Sequence, residues 1–238
     1  MKQILEKDIV LDKESHKYSL TSQPGLEFTS VTTFIDHFFE GFDAPKIAKK
    51  LIKHYPKYAG RTVESLIADW DAAANYGTMV HDQIEQWIKE DVEPKEEKAL
   101  RGKEWLKNLT SASEHDILSE VVVCSAELKI AGTVDILAKD KSTGKCTLID
   151  WKTSKKIETS SYGNKMGTHD TTRHVMDCNY YHYALQLSLY RYIIEEYYSV
   201  EIHGQVIAHL QDDRVNAINT PYMRDEIVAM LGIFGTGS

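Results

Sequence analysis

The chain has 238 residues, enough for one large domain or two small ones and long enough to bury a full core. Its apolar and charged fractions, 42% and 27%, are ordinary for a globular protein. The net charge of -8 speaks against coating long duplex DNA by charge alone, yet leaves nucleic acid open because distribution matters more than total.

In chain order, "MKQILEKDIVLDKESHK" carries charges every few residues and lacks the apolar stretch of a secretory signal. "HKYSL" and "LEFTSVTTFI" are short strand candidates. "APKIAKKLIKHY" reads as a helix with Pro45 near its start. "TVESLIADWDAAANYGTMVHDQIEQWIKE" keeps helical apolar spacing through Leu66, Trp70, Ala73, Val80, Ile84, Trp87 and Ile88, with Gly77 expected to break or kink it. "PKEEKALRGKEWLKNLT" is a further helix. The texture then turns to Val, Ile and Thr with turn signals between runs, giving three strands at about 117–124, 127–138 and 145–152. "CNYYHYALQLSLYRYIIEEYYS" returns to helical spacing, "EIHGQVIAHL" reads as a late strand, and "PYMRDEIVAMLGIF" closes with a helix before a frayed "GTGS". This order predicts an α/β fold with a central mixed sheet flanked by helices: one domain over 1–238, mostly helical in 1–112 and with its core in 113–238.

No window approaches the roughly 20 apolar residues of a membrane span, so no membrane contact is expected. Cys124, Cys146 and Cys178 stand far apart with no CxxC pair, which argues against a zinc ribbon or disulfide framework and for a reducing, cytoplasmic setting. Lys139, Lys141, Lys145, Lys152, Lys155, Lys156, Lys165 and Arg173 cluster in one region, while much of the acid lies in Glu85–Glu104 and Glu195–Glu201. A lysine-rich solvated loop explains that cluster as readily as a binding surface does.

The informative stretch is "LIDWKTSKK". Charges cost free energy wherever a strand is buried, so Asp150 and Lys152 at the end of an apolar run call for a use. The turn before it is "KDKSTGK". Whether the loop is Ser142-Thr143 or Lys141 to Gly144, Asp135 falls directly opposite Asp150, about 5 Å away across the strand pair. An odd-length loop puts Asp150 opposite Ile136 instead. In the even register two carboxylates repel unless a divalent cation sits between them. Strand alternation also sets Asp150 and Lys152 on one face and Trp151 on the other, packed inward. Magnesium takes a few carboxylates plus water and phosphate oxygens, and a neighbouring lysine can deprotonate or position the attacking water or steady a developing oxyanion. That combination suits phosphodiester hydrolysis; a surface hairpin with scattered charges is the plain alternative.

"GTVD", a hairpin and "IDWKTS" resemble the core of the PD-(D/E)XK nucleases. "GTMVH", Gly77 to His81, is similar to the G-x-x-x-H motif of the RecB-like exonuclease branch, and "QLSLY", Gln186 to Tyr190, to its Q-x-x-x-Y motif. The motifs stand in the family's order. "EFTSVTTFI" and "YALQLSLYRYIIE" look most like phage RecB-like exonucleases and mitochondrial genome maintenance exonucleases. The resemblance implies a restriction-endonuclease-like core and a magnesium- or manganese-dependent deoxyribonuclease. It assigns His81, Asp135 and Asp150 as metal ligands, Lys152 as the catalytic lysine and the Trp151 carbonyl as completing the metal site. Glu120 sits where some relatives carry an additional acid. Gln186 and Tyr190 match residues that contact the DNA backbone or order the lysine. Thr153 and Ser154 either donate to phosphate or simply end the strand, with Lys155 beside them as a DNA contact. Glu85, one turn after His81, either orients it or faces solvent. Branch members with an iron–sulfur cluster use four cysteines; this chain has three, so no cluster is expected.

The branch also implies a single-stranded DNA end, threaded beneath a helical arch, and partners in replication, recombination or repair, in a phage or bacterial setting. Phe38, Phe39, Phe42, Tyr55, Tyr58, Trp70 and Tyr76 offer stacking surfaces for bases, or core. "SSYGNKMGTHDTTRH" reads as a mobile loop able to cover DNA, or as an insertion. An endonuclease of the same fold and a non-hydrolytic binding module remain open alternatives.

Overall fold

The computed structural model describes residues 8–12, 15, 17–111 and 113–234. The expected frayed "GTGS" lies outside them.

A small antiparallel hairpin comes first, β1 (Ile9–Asp12) with β2 (Lys17–Leu20). β3 is only Thr29–Ser30, and the expected strand "LEFTSVTTFI" is corrected there: Val31–Asp36 is helix α1. The cause is local, because the Ser30 hydroxyl accepts the Thr33 N–H at 3.0 Å and so starts a helix despite the β-branched residues. α2 (Ala44–His54) starts at Asp43, whose carboxylate accepts the Lys46 N–H, and Pro45 sits in its first turn.

α3 (Val63–Glu90) runs unbroken for 28 residues from a Thr62/Ser65 capping box. Gly77 neither breaks nor kinks it. A Cβ there would meet the Thr153 hydroxyl at 2.9 Å, so the glycine serves the close approach of the helix to Thr153. α4 (Glu97–Leu109) follows.

The main sheet then forms from β4 (His115–Ser125), β5 (Ile130–Asp140), β6 (Cys146–Lys152), β7 (Ile202–Leu210) and β8 (Val215–Asn219), with β3 beside β5. β8 was not anticipated, although "VNAIN" after a turn carries a weak alternation. β4–β5, β5–β6 and β7–β8 pair antiparallel, while β6–β7 and β3–β5 pair parallel. The sheet is therefore mixed, and helices flank it, as the sequence implied. α5 (Asn179–Tyr198) and α6 (Arg224–Phe234) complete the fold.

Two apolar layers cover the sheet. One joins α1, α5 and α6 to Val121, Val134, Leu137 and Leu148. The other joins Val80 and Ile84 of α3 and Leu106 of α4 to Ile136, Ile149 and Trp151. Trp151 is 1% exposed and meets Trp105 edge-on at 5.6 Å, so it packs inward as strand alternation required.

Tyr190 of α5 lies over Gly132, where a Cβ would come within 2.6 Å of the tyrosine ring and 2.9 Å of Val31. Both neighbours are in the core. Gly132→Ala should therefore destabilise the fold by about 1–3 kcal/mol through overpacking. Urea unfolding measures this, and an unchanged midpoint would show that the ring gives way freely.

Of the segment Ser160–His174, read as a mobile cover or an insertion, residues 162–165 are exposed and the stretch from Gly167 onward is bonded to the rest of the fold. Thr172 is fully buried and donates to the Phe38 carbonyl at 3.2 Å, while the Thr168 N–H donates to the same carbonyl at 2.9 Å. Gly167 and Val175 close it by a backbone bond of 2.9 Å. No described helix is long and apolar enough to cross a membrane.

Candidate functional site

The β5–β6 hairpin turns through Lys141–Gly144. The Gly144 N–H bonds to the Asp140 carbonyl and the Asp140 N–H to the Lys145 carbonyl. The Asp140 carboxylate caps the turn, accepting from the Ser142 and Thr143 N–H groups and from the Ser142 and Ser113 hydroxyls. This four-residue loop gives the even register: Lys139 pairs with Cys146 and Ile136 with Ile149. One step further Asp135 lies across from Asp150, and there the ladder ends. The Asp135 carboxylate takes over, accepting the Trp151 N–H at 2.8 Å. β6 continues beside β7 as far as Lys152 and His209. The strands thus fork at the two acids.

On the other edge of β5, β4 pairs on both sides of Glu120 but not at Glu120, whose φ of 51° is left-handed. The register is the same before and after, so no residue is inserted. The faces nevertheless change phase. Val134 and Leu137, three apart, serve the same layer, as do Leu118 and Val121. This kink lifts Glu120 and Asp135 out of strict alternation and lets their carboxylates converge on one point.

α3 brings His81 to that point. The ligand atoms of His81, Glu120 and Asp135 lie within 4.8 Å of one another, and His81 Nδ1 is 3.5 Å from Asp135 Oδ2. Glu120 is therefore in the ligand group, while Asp150, expected there, is drawn aside. Lys152 Nζ lies 2.9 Å from Asp150 Oδ1 as a hydrogen bond and 2.7 Å from Oδ2. Asp150 is buried, and Oδ2 has no hydrogen bond despite that charge contact. Burial pushes the Asp150 carboxyl up to about 6, with Lys152 pulling down and Asp135 pushing up. For Lys152, burial works against the charge, but Asp150 and Asp135 outweigh it and lift the ammonium above its usual range. The lysine is thus held as a cation, which donates and does not accept. Its Nζ also stands 4.6 Å from the centre of the Tyr183 ring.

Tyr183, Gln186 and Tyr190 share one face of α5. Gln186 Nε2 donates to the Tyr190 hydroxyl at 3.5 Å. Tyr190 is 4% exposed, which leaves it no surface for DNA; of its two expected roles, burial beneath the site is compatible with ordering the lysine and not with a DNA contact. Beyond Lys152, the Thr153 carbonyl accepts from Lys98 Nζ at 3.3 Å and the Ser154 carbonyl from His209 Nε2 at 2.6 Å. Lys155 is exposed. Glu85 pairs with Lys89. Lys141 and Lys165 of the lysine cluster are engaged by Glu114 and Glu40. Sequence reasoning missed Lys98, Tyr183 and His209. The parallel β6–β7 pairing that sets His209 beside Lys152 leaves no motif, and Tyr183 is signalled only by lying three residues before Gln186.

The donor set fits a hard divalent cation. Two carboxylates and an imidazole converge, a third carboxylate stands beside them with an oxygen lacking a hydrogen bond, and carboxylates suit magnesium and manganese. Cys124, Cys146 and Cys178 are buried and form no disulfide.

No model of a known protein family matches the chain, and no curated protein matches it. Solved structures similar to it include the following two. The protein SSO0001 aligns with 14% identity over 88% of this chain and 75% of its own, at a TM-score of 0.39. A Eubacterium rectale protein described as a candidate exonuclease aligns with 11% identity over 96% of this chain and 83% of its own, at a TM-score of 0.37. Neither TM-score reaches 0.5, so the chemistry rests on the geometry of the site.

Proposed function

We propose that the chain is a metal-dependent nuclease that hydrolyses DNA phosphodiesters from single-stranded ends, acting with replication, recombination or repair proteins. The observation that carries this reading is the convergence of His81, Glu120 and Asp135 at the strand fork, beside the buried Asp150–Lys152 pair. His81, Glu120 and Asp135 would hold the cation, with Asp150 beside them. When bound, magnesium or manganese supplies Lewis-acid polarisation of the phosphoryl group and lowers the pKa of water.

The protein's own residues do the rest. Lys152 presents a cation toward charge that builds on phosphate oxygens. Asp150 fixes the ammonium by two close contacts. Tyr183 limits its swing, and Lys98 and His209 hold the Thr153–Ser154 turn in place next to it. The division of labour that fits is a core in 113–238 and a helical part in 1–112 that contributes His81.

The test is end-labelled linear single-stranded DNA beside its circular form, with magnesium, manganese or EDTA. Metal-dependent loss of the linear strand alone supports the exonuclease. Loss of both forms makes it an endonuclease, and loss of neither, with DNA still shifted in a gel, makes it a binding module.

His81→Ala should raise the metal concentration needed for half-maximal cleavage by roughly tenfold or more. A metal titration reads this directly, and an unchanged curve would remove His81 from the ligand group.

A further inference from the structure

A second concave feature lies outside the acid cluster. A cleft of about 810 Å³ opens between the end of α1, α2 and the entry to α5. That is the size of a small-molecule site. Its walls carry Phe42, Tyr55, Tyr58 and Tyr162, with Lys50 and Lys57 among them. Phe38 and Phe39, expected as stacking surfaces or core, are buried in the core, and Phe39 also borders the cleft. The exposed large hydrophobic side chains among the described residues include three aromatics, Phe42, Tyr55 and Tyr162, and all three line this cleft. Exposed aromatics gathered in one concavity mark a binding surface more than a scattered apolar residue does.

The two walls are tied across the cleft. The Tyr55 and Tyr162 hydroxyls are 2.7 Å apart, joining the end of α2 to the loop near residue 162. Lys50 Nζ lies 5.2 Å from the centre of the Tyr162 ring and Lys57 Nζ 5.5 Å from that of Tyr58. The acids of the lining face other lining residues: Glu40 pairs with Lys165, and Asp177 with His182 at 3.0 Å, with Asp36 on the other side of the imidazole at 3.9 Å. Beside these pairs the cleft offers a ligand flat aromatic surface edged by the Lys50 and Lys57 ammonium groups.

The cleft communicates with the site through α5. Asn179 and His182 line it, Tyr183 lies under Lys152, and Gln186 follows one turn after His182. The four-residue step from His182 to Gln186 rises about 6 Å, comparable with one nucleotide step of an extended strand. The chain leaving the catalytic strand runs the same way. Asn179 donates to the Lys156 carbonyl and accepts the Glu158 N–H, each at 2.8 Å, which anchors that segment to the rim of the cleft. Lys155 and Lys156 are exposed along the path.

We propose that this cleft holds an unpaired nucleobase of the strand whose scissile phosphate lies at the acid cluster. The proposal rests on the nuclease reading above. The base stacks on the tyrosines, while Lys50 and Lys57 face the adjoining phosphates. Stacking of this kind accepts any base, because every base has a π-face. It excludes an intact duplex, whose bases are paired and stacked on one another. The cleft thus selects for single strands by shape.

The test uses fluorescence anisotropy in EDTA, with a labelled twelve-residue oligothymidylate, a duplex of the same length, and oligothymidylates carrying one abasic residue at each position in turn. Tyr55→Ala/Tyr162→Ala removes the exposed rings, and its melting curve shows whether the fold survives. The double variant should bind the single strand roughly tenfold more weakly and the duplex as before. One abasic position should weaken wild-type binding similarly and have no further effect in the variant. Equal binding by the wild type and the variant, with metal-dependent cleavage intact, overturns the cleft and leaves the nuclease standing. Tyrosine-dependent binding without cleavage in either metal keeps the cleft as a single-strand site and overturns the nuclease.

Discussion

Asp150→Asn and Lys152→Ala should each lower metal-dependent DNA cleavage by roughly two to three orders of magnitude or more, the scale seen when one group that meets transition-state charge is removed. Single-turnover cleavage of labelled DNA measures this, and wild-type turnover in both variants would sink the assignment of the pair. Stability should behave differently. Lys152 and Asp150 form a pair in which the acid is buried and the lysine side chain is 17% exposed. Removing one partner of a buried pair strands the other and costs up to about 3–5 kcal/mol, whereas replacing both by neutral groups is often neutral or stabilising. Partial exposure of the lysine places the single-variant cost below that ceiling. Asp150→Asn/Lys152→Met should therefore melt above either single variant while cleaving nothing. A double variant melting below both singles would mean that the pair holds the fold together and that its chemistry was misread.

Trp151→Ala should cost about 3–5 kcal/mol, a large part of the roughly 5–15 kcal/mol that holds an ordinary domain. The ring is 1% exposed and packs among Ile136, Ile149, Val80 and Ile84, with Trp105 against its edge. Its deletion opens a cavity in the layer between α3 and the sheet. The backbone N–H that Asp135 accepts is retained, so the loss is one of packing. Urea unfolding gives the number, and a loss under about 1 kcal/mol would show that the layer collapses around the gap. Because α3 carries His81 through that same layer, the metal requirement of any folded fraction should rise with the loss of stability.

Some of this was legible in the chain. Capping groups set the starts of α2 and α3, since Asp43 and Thr62 satisfy N–H groups a few residues away. Ser30 did the same for α1, but its β-branched neighbours pulled the reading toward a strand; a single side-chain cap outweighed their propensity. Gly77 reads as a breaker because a glycine's local cost is visible in sequence and its remote neighbour is not. The loop at Ser160–His174 looks mobile for the same reason, since its polar composition hides the bonds to Phe38 that pin it.

By itself the sequence determined the alternation: period two sends Trp151 inward while keeping Lys152 beside Asp150, and it placed Asp135 across from Asp150 on condition of an even loop, which the turn Lys141–Gly144 supplies. These follow from backbone geometry over a dozen residues. Only the tertiary structure decided which carboxylates meet His81. That depended on the left-handed kink at Glu120, on the approach of α3 over Thr153, and on Lys152 drawing Asp150 to itself. A buried charge takes the nearest countercharge, and how near it is depends on how helices remote in the chain pack on the sheet, which no local pattern encodes.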